Sequence, residues 1–76
     1  MTVYVAIWHD PHTDDEIYVF RSYLSASLAI AARMATYTLR DGEEWTDTGE
    51  NPDRTRTVQS ENGNIWGEVR CCEVTL

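Results

Sequence analysis

The chain is 76 residues long, which makes it a single domain, 1–76, and a small one. It is 42% hydrophobic with three Trp, four Tyr and one Phe, too aromatic for a disordered segment. Thirteen acidic residues against six arginines and no lysine give a net charge of -7, which disfavours binding to nucleic acid or to an anionic membrane.

Thr2 to Trp8 alternates with the period of a strand: Val3, Val5 and Ile7 on one face, Tyr4, Ala6 and Trp8 on the other. The polar run His9 to Glu16 breaks the pattern as a turn. Ile17 to Arg21 alternates again, with Ile17 and Val19 opposite Tyr18 and Phe20, so the two runs read as a hairpin. Within the turn, His9 and His12 are metal-ligand types followed by Asp14, Asp15 and Glu16. Their spacing brings no second ligand pair, and a solvated hairpin tip is the plainer reading.

Ser22 is a plausible N-cap for a helix over Tyr23 to Leu39, which Asp41 and Gly42 close. At 100° per residue Leu24, Leu28, Ala31, Ala32, Ala35 and Leu39 form one stripe, whose alanines let the helix lie close against a sheet. Tyr23, Ile30, Met34 and Tyr37 form a second patch beside it. If the aliphatic strand faces meet the helix, Tyr4, Trp8, Tyr18 and Phe20 face away. That aromatic face and the Tyr23/Ile30/Met34/Tyr37 patch are then candidate interfaces, set against ordinary cross-strand aromatic pairing.

From Asp41 to Asp53 the chain carries six carboxylates, no basic residue and Trp45. Like charges in a short loop repel, so folding alone does not explain them. The segment reads as a long loop with room for a short strand or turn around Trp45. It does not follow the alternating ligand pattern of a calcium loop. Arg54–Ser60 and Ile65–Leu76 then form a second hairpin, with Asn62-Gly63 where a two-residue type I′ turn wants them. In that register Val58, Ile65 and Val69 share a side, Trp66 falls on the other with Gln59, and Gly67 is a candidate bulge. The fold class expected is α+β, ordered β-β-α-β-β, an antiparallel sheet with one helix on one face.

Neighbouring Cys71 and Cys72 would close almost no loop as a disulfide, so reduced thiols and a cytoplasmic location are expected. Nucleophile elbows and phosphate-binding glycine loops are missing from the sequence, and no cofactor is expected.

In size, charge and β-β-α-β-β layout, the whole chain resembles the small acidic single-domain orphan proteins of phages and mobile elements, among them the anti-CRISPR inhibitors. The resemblance implies a stoichiometric, non-enzymatic inhibitor docking on a basic, nucleic-acid-handling groove of a host defence complex such as a CRISPR effector. It carries no motif from which binding residues transfer. The residues themselves suggest Asp41, Glu43, Glu44, Asp47, Glu50 and Asp53 as the partner-binding anions. Asp14, Asp15 and Glu16 would add a second anionic point, and Trp45 an apolar anchor. Two alternatives stand beside this reading: a homodimeric accessory protein using the aromatic face or the helix patch, and a small metal-binding protein using His9 and His12.

Overall fold

A computed structural model describes residues 1–75. One open antiparallel sheet carries a single helix, in the order β1 (Thr2–His9), β2 (Glu16–Phe20), α1 (Tyr23–Asp41), β3 (Trp45–Asp47), β4 (Arg56–Ser60) and β5 (Trp66–Glu73). This is the expected α+β layout with one addition. The residues around Trp45 form a short strand of their own, pairing Trp45 with Ser60 and Asp47 with Val58. The strand order is β2-β1-β5-β4-β3, so α1 carries the chain from one sheet edge to the other. The second hairpin was expected to run on to Leu76, which lies outside the described residues.

Helix ends follow the local chemistry. The Ser22 hydroxyl accepts the Ser25 amide at 3.0 Å, and Gly42 takes a left-handed φ of 68° while its amide reaches the Thr38 carbonyl at 2.9 Å. The β4–β5 turn differs from the expected type I′. Gly63 has φ 80° but Asn62 does not have positive φ, and the Gly63 amide donates to the Ser60 carbonyl at 2.9 Å. The loop is therefore longer than two residues, with Ser60 and Ile65 bonded across its mouth.

Which face the helix covers is the reverse of the expectation. Ala6 and Trp8 on β1 are buried, Tyr4 and Phe20 pack against them, and these rings lie under α1 with Val58 and Val69. Ile17 and Val19 remain 62% and 64% exposed on the uncovered face. Tyr18 shares the helix side, opposite Ala6, but sits at the sheet edge and is 47% exposed. The helix is inverted in the same sense. Ala26 and Ile30 are buried and Tyr23, Met34 and Tyr37 pack inward, whereas Leu24, Leu28 and Leu39 point to solvent. Alternation gives the period of a strand but not its phase. Covering the aromatic side removes more apolar surface from water, since each ring buries roughly 150–250 Å².

Trp8 is the centre of this core, with ring centroids 5.7 Å from Tyr37 and 5.6 Å from Trp45. It lies across Gly67, its register partner on β5. Gly67 thus provides a seat for a ring inside a continuous β1–β5 ladder, in place of the expected bulge. Trp66 is on the open face as expected, paired with Gln59 and stacked on His9 at 5.1 Å.

Candidate functional site

The β3–β4 pairing divides the acidic segment into a half whose carboxylates are ion-paired or hydrogen-bonded nearby, Asp47, Glu50 and Asp53, and a half gathered at the end of α1. Asp47 belongs to the first half. Its carboxylate receives two arms of Arg56, Nε at 3.0 Å and Nη2 at 2.5 Å, and Arg56 Nη1 donates to the Ser27 hydroxyl at 2.5 Å. The guanidinium holds the Asp47 carboxyl below the usual carboxylate range, and Asp47 in turn raises Arg56. Glu50 pairs with Arg54 at 2.5 Å, and Asp53 accepts the Thr55 amide at 3.2 Å and its hydroxyl at 2.6 Å. Three of the six proposed partner-binding anions therefore have partners in their own loop.

Trp45 is not an outward anchor. Its ring packs on Trp8 and Tyr37, and its Nε1–H donates to the Thr38 hydroxyl at 2.8 Å. The remaining interface candidates, Tyr4, Trp8, Phe20, Tyr23, Ile30, Met34 and Tyr37, are equally occupied in the core, leaving only Tyr18 substantially exposed.

At the other end of the loop, Asp41, Glu43, Glu44 and Glu61 gather around a hollow completed by Gly42 and Asn62. Glu61 was not anticipated. It arrives because β4 pairs with β3, and its amide donates to the Glu44 carbonyl at 3.0 Å. Glu43, Glu44 and Glu61 have no ion-pair partner among the described residues. Asp41 has only the exposed Arg40, at 3.2 Å. The hollow sits at the C-terminus of α1, where the backbone dipoles add partial negative charge. Its chemistry therefore suits an ammonium or guanidinium group.

A neighbouring cleft shares Asp41 and Glu43 with the hollow and contains Asp10 and Tyr37. Asp10 is buried and accepts hydrogen bonds from the Tyr37 hydroxyl and, at 2.9 Å, from the His12 amide. The Tyr37 bond, then the His12 amide, holds the Asp10 carboxyl below its ordinary range, and the same Asp10 bond followed by burial pushes the Tyr37 phenol up. The buried Trp8 Nε1–H has no acceptor among the described residues.

The second anionic point is mostly spoken for: Asp15 bonds His9 Nδ1 at 2.6 Å, and Glu16 receives Arg33 and, at 2.7 Å, the Tyr18 hydroxyl. Asp14 is exposed and without an ion pair among the described residues. His9 is thus held by Asp15 and Trp66, and among the described residues no three His, Cys, Asp or Glu side chains are placed so that they could hold one metal ion. Cys71 and Cys72 are both free thiols. Adjacent on β5, they face opposite sides of the sheet, Cys71 paired with Tyr4 and Cys72 with Val3.

No helix among the described residues is long and apolar enough to cross a membrane. Comparison with protein-family models, curated proteins and solved structures returned no match.

Proposed function

We propose that the chain is a non-enzymatic acidic binding protein. It presents the hollow formed by Asp41, Glu43, Glu44 and Glu61 to a cationic side chain on a larger partner. The observation that carries this reading is the concentration of four carboxylates at the C-terminal end of α1, of which Glu43, Glu44 and Glu61 have no ion pair among the described residues and Asp41 has only the exposed Arg40. Gathering them costs folding free energy through mutual repulsion, and a bound guanidinium or ammonium reverses that cost. The reading is narrower than the full Asp41–Asp53 segment, because Asp47, Glu50 and Asp53 already have partners.

A basic groove that handles nucleic acid in a host defence complex is the partner class we favour, with the protein acting as a cytoplasmic inhibitor in the anti-CRISPR manner. The net charge of -7 supports this, since it favours fast, salt-sensitive association with such a surface. A homodimer through Tyr4, Trp8 and Phe20 is not retained, because those rings lie under the helix of their own chain.

Calorimetry with an arginine-rich peptide tests the charge chemistry. The triple variant Glu43→Gln/Glu44→Gln/Glu61→Gln should bind at least about tenfold more weakly than the parent, with a flatter salt dependence. A control variant Glu50→Gln, outside the hollow, should bind like the parent. Equal affinity of parent and triple variant sinks the reading.

A further inference from the structure

An apolar stripe runs the length of the outward side of α1, flanked by the exposed Ser25, Thr36 and Thr38. Leu24, Leu28 and Leu39 are 66%, 58% and 87% exposed, and Ala32 and Ala35 are exposed between them. A helix with one face on a sheet normally turns polar residues outward. Here Leu24, Leu28, Ala31 and Ala35 follow each other at spacings of four, three and four, the seam of a helix that packs on another helix.

The stripe is self-complementary when run against itself in the opposite direction. An antiparallel two-fold axis beside Ala31 and Ala32 sets Leu24 against Leu39 of the partner subunit. It also sets Leu28 against the partner's Ala35, so a large side chain meets a small one. Ala31 then meets the partner's Ala32, and small residues at the centre let the helix axes approach to about 8 Å.

Charge at the ends agrees with the same register. Arg21 precedes the helix and is exposed, and it is the one arginine without an ion pair among the described residues. In the antiparallel arrangement it falls beside the partner's Gly42, between the partner's Asp41 and the partner's Glu43. The opposed helix dipoles are also favourable in this direction. The sheet's open face offers no such match. Its aliphatic patch of Val5, Ile7, Ile17 and Val19 is bordered by Glu68 and Arg70, which already bond each other at 2.7 Å.

We infer that a second copy of this chain covers the outer face of α1, giving a symmetric dimer layered sheet, helix, helix, sheet. The inference meets the cationic-partner reading at Asp41 and Glu43, where Arg21 of the partner subunit would reach the edge of the hollow. Its leucine contacts lie outside the hollow, so Leu28→Glu should break the dimer and leave binding of the arginine-rich peptide unchanged.

Sedimentation equilibrium of the full chain, from micromolar to millimolar concentration, should show reversible doubling of mass. Leu28→Glu and Leu39→Glu should each abolish it while leaving the circular dichroism spectrum intact, since both side chains face solvent in the monomer. Arg21→Glu should raise the dimer dissociation constant by about tenfold, and Arg21→Glu/Glu43→Arg should restore it. A monomer at every concentration overturns the inference. So does a dimer that survives Leu28→Glu and Leu39→Glu, or one broken only by Ile17→Glu and Val19→Glu on the sheet.

Discussion

The ring of Trp8 occupies the space that a side chain on Gly67 would need. A Cβ at Gly67 would lie 2.6 Å from Cε3 and 2.8 Å from Cζ3 of Trp8, and 3.2 Å from a Val58 methyl. The two residues are opposite each other on the central strands, and Trp8 is 2% exposed, so the ring has little room to retreat. Gly67→Ala should therefore destabilise the fold by about 1–3 kcal/mol, the usual range for overpacking a core. Urea denaturation measures it as a lower midpoint at unchanged slope. An unaltered midpoint would mean that the ring can slide aside without loss.

The hydrogen bond between Tyr37 and Asp10 ties α1 to the β1–β2 turn and gives stability a pH window with two edges. Asp10 has a depressed folded pKa, so its contribution is complete above the unfolded carboxyl's value and disappears as pH falls through the folded one. Tyr37 has a raised folded pKa, so its contribution is complete below the unfolded phenol's value and disappears as pH rises through the folded one. Tyr37→Phe should lower stability by about 1.5–3 kcal/mol at neutral pH, since it removes a bond to a charged acceptor in a buried place. Thermal melts across the pH range should show the variant's loss shrinking toward both extremes.

Arg56 and Arg54 are close in sequence and differ in worth. The Arg56 side chain is 16% exposed and joins β3, β4 and the helix through Asp47 and Ser27, whereas that of Arg54 is 58% exposed and pairs only with Glu50. Arg56→Met should cost about 2–4 kcal/mol, because it leaves Asp47 without its counter-ion, with only the Gly49 amide still donating to it, and the Ser27 hydroxyl without the guanidinium donor. Arg54→Met should cost under about 1 kcal/mol. Chemical denaturation of the two variants side by side checks the ordering, and equal costs would contradict it.

Element types and order were legible from the sequence because they depend on local pattern: the two-residue period of Val3 to Trp8, the Ser22 cap, the Gly42 stop. The side of each element that faces inward was not. Both sides of β1 and both sides of α1 are apolar, so periodicity alone left two equally regular solutions. The choice fell to the larger volume of Trp8, Tyr4 and Phe20, and to the gap that Gly67 leaves for a ring, which only the register between β1 and β5 reveals. The anionic segment was visible as a charge excess, but its division was not. That depended on β3, a strand of three residues and too short to announce itself, which brings Asp47 to Arg56 and Glu61 to Glu44. Glu50 and Arg54 could have been paired from their i,i+4 spacing if the segment had been read as a turn.

The middle of the sheet joins β1 to β5, the described strands farthest apart along the chain. The floor on which α1 rests therefore stays incomplete until β5 has been made. Closing so large a loop before its contacts form sets a slow pace for so short a polypeptide. While it waits, the emerging helix has both its oily sides bare, and that interval is when the chain is most exposed to aggregation.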